Sequence, residues 1–241
     1  MEIENNLRTI ERAASVDELS TVLVDLRDES GLAHLIYRAV SVPAFGKTNP
    51  LLLKTYDEAW VRRYVDRDYF RIDPTVLAGR GSFLPIDWLK VEISSKQSRH
   101  FFAEAASYGV GRPGFTLPIR GPAGERAIFT ITTNATEEHW YRWRLSHLRD
   151  FHLLAHYFHD RAMRLSGLRS EQVMRPLSPR ENQCVGKLMQ GQVPCQMAHE
   201  LRLSVSAINA YLRTARLKMG CRTNEATIAK ALQLDVLHDV Q

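Results

Sequence analysis

Apolar side chains recur every three to four residues over much of this chain, the spacing that aligns them on one face of a helix. Ahead of residue 169 this spacing predicts helices over residues 2–14, 15–31, 57–68, 94–108 and 136–168. The first helix is expected to turn Leu7, Ile10 and Ala14 inward. Ser15 and Glu18 form a capping box that sets the start of the second helix.

Short apolar and β-branched runs between these helices predict four strands, over residues 32–40, 51–55, 115–120 and 126–133. The segment 43–50 begins and ends with proline and is expected to form a loop. A Gly-Pro-Ala-Gly turn at 121–124 joins the last two strands into a hairpin. This order of elements favours an α+β fold, with an α-β-α sandwich around an antiparallel sheet.

The densest group of aromatic residues lies between Tyr56 and Trp88. Tyr56, Trp60 and Tyr64 are four residues apart, so a helix would align their rings on one side. Rings with polar tips, together with the carboxylate of Asp73, would enclose a polar ligand in an apolar cavity. Ordinary core packing is the competing interpretation for the rings. For Asp73 the competitor is a helix cap or a turn before a proline.

The predicted helix 136–168 carries a heptad-like apolar stripe and three histidines. The stripe either packs on the sheet of its own domain or pairs with a second copy of the chain, and its residues are Leu148, Phe151, Ala155, Phe158, Ala162 and Leu165. His152, His156 and His159 would be metal ligands in a lactone-degrading enzyme. They flank the apolar stripe, where histidine is usually a half-exposed packing residue. A phosphate-binding loop and a nucleophile elbow are absent from the sequence. We therefore expect no metal and no catalytic residue.

Four further helices are predicted after a polar linker at 167–176, which divides an N-terminal domain (1–166) from a C-terminal one (177–241). Ser178 caps the first helix, with proline at its first position. The others are expected over 193–202, from Ser204 to about 219, and over 224–234. A short helix, a tight turn and a helix that exposes Ser, Asn and Arg side chains indicate an all-α helix-turn-helix domain.

Charge and composition support a nucleic-acid partner for the C-terminal region. The net charge is +5, and residues 175–241 hold nine Lys and Arg against five Asp and Glu, so they carry four of the five charges. No apolar run approaches the length of a membrane span, roughly 20 residues. Three cysteines, Cys184, Cys195 and Cys221, fit neither a disulfide framework nor a zinc spacing. A cytoplasmic location without membrane contact is expected.

Two sets of motifs resemble the LuxR type of regulator, and together they span nearly the whole chain. The C-terminal set is LSPRENQCVGKLMQGQ followed by MAHELRLSVSAINAYLRTARLKMGC. The N-terminal set resembles the autoinducer-binding domain of the same family and comprises Trp60, Tyr64, Asp73-Pro74, Trp88, Tyr108-Gly109, Gly114 and Pro118. The resemblance implies a quorum-sensing regulator that binds a homoserine lactone and acts as a homodimer on a palindromic operator in double-stranded DNA. Val185, Tyr211 and the Val193-Pro194-Cys195 run depart from the family pattern, which affects operator preference.

The resemblance also implies roles in ligand binding. Trp60 would donate to the ring carbonyl, Asp73 would accept from the amide N–H, and Tyr56 would donate to the amide carbonyl, joined by Thr130. The remaining cavity walls would come from Tyr64, Trp88, Phe101, Ala105 and Val110. An unpaired buried Asp73 would cost several kcal/mol, so the ligand is expected to complete the core and to support folding. An acyl tail and an aryl tail both stay open.

On the DNA side, Asn209 and Arg213 are the expected base readers, from the family pattern and from the helical wheel. The other predicted DNA-binding residues are Glu181, Ser206, Arg216 and Lys218. An ordinary helical bundle with a solvated polar face is the competing interpretation. A second alternative is an orphan regulator that senses a non-lactone molecule or acts without a ligand. A receiver domain is disfavoured because the first strand is not followed by an acidic pair.

Overall fold

The computed structural model describes residues 3–42, 47–122, 124–169 and 176–234. The chain divides into two compact units, Met1–Gly121 with Glu125–Arg169, and Pro122–Gly124 with Ser170–Gln241. The predicted α+β class, with an antiparallel sheet followed by a helical domain, is confirmed. The predicted linker lies largely at 170–175, outside the described residues, so its boundaries stay a prediction.

The first unit is a five-stranded antiparallel sheet with helices on both faces. Its helices are α1 (Ile3–Arg12), α2 (Val16–Glu29), α3 (Glu58–Asp66), α4 (Pro74–Gly81), α5 (Lys96–Ser107) and α6 (Glu137–Leu165). Its strands are β1 (His34–Val42), β2 (Lys47–Lys54), β3 (Ile86–Asp87), β4 (Gly114–Arg120) and β5 (Arg126–Thr132). They run in the order β2-β1-β5-β4-β3. Helices α1, α2 and α6 form one layer, and α3, α4 and α5 form the other.

Strand β1 shows how the sheet serves both layers. Tyr37 and Ala39 are fully buried in the large core under α1, α2 and α6. Because side chains alternate along a strand, Ile36 and Arg38 point to the opposite face, toward α3–α5. The apolar stripe of α6 packs into the large core, where Phe151, Ala155 and Phe158 are fully buried. The stripe therefore covers the sheet of its own domain.

Several predicted boundaries are wrong. Strand β2 starts at Lys47, so the predicted loop ends earlier than residue 50, while its residues 43–46 lie outside the described part of the chain. Proline is tolerated at position 50 because β2 is an edge strand with an irregular register between Ala39 and Ser41 of its partner. Ala14 is exposed, and Ala13 takes the buried position. The short elements α4 and β3 were not predicted.

The second unit has four helices, α7 (Pro179–Met189), α8 (Pro194–Leu201), α9 (Val205–Lys218) and α10 (Asn224–Leu234). Ser178 starts α7 as predicted: its hydroxyl accepts from the Glu181 N–H at 3.3 Å, and its own N–H donates to the Glu181 carboxylate at 2.7 Å. Two small cores hold the helices together, one around Met197, Ile208 and Leu212 and one around Val185 and Ala215.

A buried polar cluster lies under the sheet, on the side away from α3–α5. The Tyr37 hydroxyl is 2.8 Å from His159 Nδ1, and both side chains are buried. Beside them Arg169 Nε donates to the buried carboxylate of Glu125 at 2.8 Å. A Cβ at Gly121 would stand 2.3 Å from Glu125 Oε2 and 2.7 Å from His159 Nε2, so a larger residue there would displace these side chains. Burial lowers the pKa of His159 from 6.5 to about 4.

This cluster predicts a loss of stability in mild acid. Between pH 6.5 and about 4 the unfolded chain binds the His159 proton and the folded chain does not, so the free energy of unfolding falls as the pH falls. The full effect is about 3 kcal/mol. Urea unfolding at pH 7 and pH 5 checks this prediction. The free energy of unfolding of His159→Asn should depend less steeply on pH than that of the wild type. The variant His139→Asn, at an exposed histidine, should show the wild-type dependence. The same pH dependence in all three proteins would contradict the prediction.

Candidate ligand cavity and DNA-binding face

A cavity of about 590 Å³ lies between the sheet and helices α3–α5. That volume is within the usual range of small-molecule pockets, roughly 300–1,000 Å³. All nine residues predicted to bind the ligand line it: Tyr56, Trp60, Tyr64, Asp73, Trp88, Phe101, Ala105, Val110 and Thr130. The structure thus brings the predicted set together, and the role of each residue toward a ligand stays a prediction.

The aromatic residues form a small core of their own around this cavity. Trp60 is 2% exposed, and its ring centroid lies 5.8 Å from Tyr64 and 6.0 Å from Phe101. The helical alignment predicted for Tyr56 is wrong, because Tyr56 precedes Asp57, the N-cap of α3. It lines the same cavity from the end of β2, where its ring is 4.8 Å from that of His34. The rings pack together and also wall a cavity, so core packing is confirmed and the enclosure of a ligand stays a prediction.

Two hydrogen-bond donors of this wall stand out. Across the residues that the structure describes, neither the indole N–H of Trp60 nor the hydroxyl of Tyr56 has a hydrogen-bond partner. Buried polar groups in proteins are normally paired. Burial raises the pKa of Tyr56, so it is a neutral donor at physiological pH. The two groups are therefore suited to donate to oxygen atoms of a ligand in the cavity.

Asp73 is both a helix cap and a cavity residue. Its Oδ1 accepts from the Thr75 N–H at 2.9 Å and from the Thr75 hydroxyl at 2.7 Å, which starts α4. Its Oδ2 accepts from the Tyr64 hydroxyl at 2.9 Å. The expectation that Asp73 is unpaired without ligand is therefore wrong, and with it the argument that a ligand must complete the core. A carboxylate oxygen accepts more than one hydrogen bond, so Oδ2 keeps capacity for a ligand N–H.

The carboxyl of Asp73 lies in an apolar setting, 6% exposed. Burial raises the pKa of Asp73, and the hydrogen bonds from Thr75 and Tyr64 act in the opposite direction. A ligand N–H would add a further donor and would favour the ionised form. Ligand binding is therefore expected to lower the pKa of Asp73.

Trp88 and Thr130 belong to one hydrogen-bonded row across β4 and β5. The Trp88 indole N–H donates to the Thr116 hydroxyl at 3.0 Å, and that hydroxyl is 3.1 Å from the Thr130 hydroxyl. Gly114 makes room for the Trp88 ring, because a Cβ there would stand 3.2 Å from it and 2.6 Å from the Ile131 carbonyl oxygen. This row fixes Trp88 as a wall and orients Thr130 toward the cavity.

Four residues of the sheet that line the cavity were not predicted from the sequence: Ile36, Arg38, Leu52 and Ile128. The alternation of strand side chains would have found Ile36 and Arg38 once Tyr37 was assigned to the opposite face.

On the second unit, α9 presents three of the predicted DNA-binding residues, Ser206, Asn209 and Arg213, as exposed side chains. Glu181 is not among these exposed side chains, and its prediction as a DNA-binding residue is corrected. It is 4% exposed, and its carboxylate accepts from the Ser178 N–H and from Lys218 Nζ, both at 2.7 Å. Its charge would also repel phosphate. Lys218 and Arg216 have internal partners, Glu181 and Asn224 respectively. Phosphate contacts from these two residues stay a prediction.

The three histidines of α6 do not converge. His159 points into the core, whereas His156 is exposed, 5.1 Å between ring centroids from His152. Among the described residues, no group of three or more His, Cys, Asp or Glu side chains is arranged to hold a metal ion. Within the same part of the chain, every helix is too short or too polar to cross a membrane.

Comparisons with known proteins cover both units. Residues 15–162 match the family described as "Autoinducer binding domain", and residues 175–231 match "Bacterial regulatory proteins, luxR family". The transcriptional activator protein RaiR of Rhizobium etli is 47% identical over 176 residues, which cover 73% of this chain and 73% of RaiR.

Two solved structures share the fold. SdiA in complex with octanoyl-rac-glycerol is 17% identical, covers 99% of this chain and 96% of its own, and superposes with a TM-score of 0.68. CepR2 from Burkholderia cenocepacia, an N-acylhomoserine lactone dependent LuxR family transcription factor, is 18% identical. It covers 68% of this chain and 95% of its own, with a TM-score of 0.56. At these identities the two structures establish the fold.

Proposed function

This chain belongs to the LuxR family of bacterial transcriptional regulators, as its motifs predicted, and we propose that its ligand is an N-acyl- or aryl-homoserine lactone. It is an autoinducer-binding, DNA-binding regulator and not an enzyme. The lactone would control its action on quorum-sensing genes, as a cytoplasmic homodimer on a palindromic operator.

The observation that carries the proposal is the presence of three polar side chains, Tyr56, Trp60 and Asp73, in the cavity wall. Tyr56 and Trp60 offer donors without partners among the described residues, and Asp73 offers a charged acceptor. A homoserine lactone presents two carbonyl oxygens and one amide N–H, which matches two donors and one acceptor. The walls around this set are aromatic and aliphatic, so they suit a lactone ring and an apolar tail.

The proposal is tested by thermal unfolding and operator binding, with and without lactone. A cognate lactone at a hundred times its Kd would stabilise the folded chain by about 2.7 kcal/mol and so raise its melting temperature by several degrees. The same lactone should increase the affinity for DNA. If acyl and aryl lactones of varied tail length change neither quantity, the proposal fails.

The outer face of α6 supports the homodimer part of the proposal. Four large apolar side chains are exposed along this helix: Tyr141 (56%), Leu145 (68%), Leu153 (43%) and Tyr157 (38%). Side chains spaced by four residues form one row on a helix, so Tyr141 with Leu145 and Leu153 with Tyr157 make two apolar pairs in one row, with the exposed Arg149 between them. We therefore place the proposed dimer contact on this outer face of α6 and not on the apolar stripe of the same helix, which is buried in its own domain. In the second unit α10, with exposed Leu232, is the other candidate surface.

Leu145→Arg should raise the dimer dissociation constant of the lactone-bound protein tenfold or more, because it places a charge in an apolar contact. Analytical ultracentrifugation measures the shift. Leu77→Arg, at an exposed leucine of α4 outside the cavity lining, is the matched control and should leave the dimer intact. A Leu145→Arg protein with the wild-type dimer affinity would rule out this face.

A second candidate is an orphan regulator with a non-lactone ligand. The observation in its favour is SdiA, which shares this fold and holds octanoyl-rac-glycerol in the solved complex. A monoacylglycerol has no amide N–H, so one of its free hydroxyl groups would be the donor to Asp73. Comparing octanoyl-homoserine lactone with monooctanoyl-glycerol in the thermal assay separates the two candidates.

A further inference from the structure

Two histidines of helix α6 lie side by side on its outer face. His152 and His156 are four residues apart, and their ring centroids are separated by 5.1 Å. His152 is half-buried and His156 is exposed. Both line a surface groove together with Leu145 and Leu153, two of the apolar residues assigned above to the proposed dimer contact. The histidine pair therefore lies within that contact.

Both imidazoles of the pair are available as ligands. Across the residues that the structure describes, neither ring has a hydrogen-bond partner. Burial lowers the pKa of His156, and the neighbouring His152 acts in the same direction, so the His156 ring is neutral at physiological pH. Neutral imidazole is the form that binds metal ions.

The arginines beside the pair are held by carboxylates of their own chain. Arg149, three residues before His152, pairs with Asp150 at 3.2 Å. Arg144, which lines the same groove, pairs with Asp87. These carboxylates reduce the repulsion that the two guanidiniums would exert on a cation at the histidines.

The spacing of the pair suits a zinc ion. Two histidines four residues apart on one helical face bind zinc in the H-E-x-x-H motif, and each ring nitrogen then lies about 2.0–2.1 Å from the metal. Small side-chain rotations would bring a nitrogen of His152 and one of His156 to such distances. The glutamate that acts as the base in H-E-x-x-H is replaced here by Leu153. The pair is thus suited to hold a metal ion and not to catalyse a reaction with it.

One chain supplies too few ligands for a zinc site. Zinc in proteins has at least three protein ligands, and four in structural sites. Among the residues that the structure describes, no third His, Cys, Asp or Glu joins the pair to hold a metal ion. In a two-fold dimer both copies contribute the same patch, and residues next to the axis meet their own counterparts. A second copy would therefore bring two more imidazoles and complete a set of four.

We propose that His152 and His156 of two copies of this chain together bind one zinc ion across the outer face of α6, and that the ion stabilises the homodimer. Since the four ligands come together only in the dimer, zinc binds the dimer more tightly than the monomer and shifts the equilibrium toward it. This inference rests on the homodimer of the proposed function. It predicts one zinc ion per two chains and a dimer affinity that depends on zinc.

Analytical ultracentrifugation of the full chain in zinc chloride and in EDTA, each with and without lactone, tests the proposal. Zinc should lower the dimer dissociation constant of the wild type about tenfold or more, and elemental analysis of the dimer should find one zinc per two chains. His156→Asn should lose both effects. In EDTA it should dimerise and melt like the wild type, because His156 is exposed and has no partner among the described residues.

Two control variants should keep the wild-type response to zinc. His139→Asn removes an exposed histidine of the same helix. Cys195→Ser removes the exposed thiol, which is another zinc ligand on the surface. A response lost in either control as well as in His156→Asn would count against the assigned site.

Failure of the zinc site and failure of the homodimer give different results. A wild-type chain that stays monomeric under all four conditions contradicts the proposed homodimer, and the zinc site fails with it. A wild type that dimerises equally well in zinc chloride and in EDTA overturns the zinc site alone. So does a dimer that binds one zinc per chain, which is adventitious binding to a single histidine pair. An undiminished zinc response in His156→Asn also overturns the site.

Discussion

Asp73→Asn should fold and yet bind a cognate lactone roughly a hundredfold more weakly than the wild type. An asparagine at the N-cap still accepts from the Thr75 N–H, so α4 keeps its start. The charged acceptor for the ligand is lost, and such hydrogen bonds contribute roughly 1.5–3 kcal/mol. The new amide group would also direct an N–H toward the ligand N–H. Calorimetry gives the affinity, and a lactone-responsive reporter gives the response.

Asp73→Ala separates the two roles of this residue. It removes the cap as well as the acceptor, so it should also lose about 1 kcal/mol of stability. Asp57→Ala is the matched control, because Asp57 caps α3 through the Ala59 N–H at 2.7 Å and does not line the cavity. It should lose stability and keep the lactone response. A full response from Asp73→Asn would remove Asp73 from the binding set.

Arg213→Ala should lower the affinity for the operator about 10- to 100-fold and leave the affinity for random DNA almost unchanged. Arg213 is exposed on α9, the second helix of the helix-turn-helix, together with Asn209. Arginine bonds O6 and N7 of guanine together, and losing such a pair costs roughly 1–3 kcal/mol. The operator is first selected from random duplexes with the lactone-bound wild type.

Arg180→Ala is the control for this experiment, since Arg180 is exposed on α7 and bonds Gln183 at 3.0 Å. Any effect there should be small and equal for operator and random DNA, because a phosphate contact carries no sequence information. If Arg213→Ala keeps the wild-type ratio of operator affinity to random-DNA affinity, Arg213 does not read bases.

The sequence predicted the residues that line the cavity more accurately than it predicted where the edge strand β2 begins. The motif from Trp60 to Trp88 indicated four of the residues that line the cavity, Trp60, Tyr64, Asp73 and Trp88, because they are chemically distinctive and closely spaced. Arg38 was missed since β1 is covered on both faces, and such strands lack the polar and apolar alternation that marks a face. The start of β2 was missed because a proline usually ends a strand, whereas this one lies at an irregularity of an edge strand.

Glu181 and Asp73 show why a motif does not fix the role of each residue in it. Glu181 belongs to the pattern that marks the DNA-binding unit, yet its carboxylate serves the capping box and Lys218. For Asp73 the sequence leaves open a helix cap and a ligand acceptor: Oδ1 caps α4 through Thr75, Oδ2 accepts from Tyr64 at the cavity, and the ligand role stays a prediction. The role of such a residue depends on the hydrogen-bond partners that the fold brings next to it, and the sequence alone does not identify them.

Native mass spectrometry of the full chain, purified from cells fed a mixture of acyl- and aryl-homoserine lactones, tests the central claim most directly. The cavity is predicted to retain one lactone per wild-type chain, to lose it in Asp73→Asn and to keep it in Asp57→Ala. A wild-type protein that carries no lactone, or an Asp73→Asn protein that carries as much as the wild type, would contradict the account.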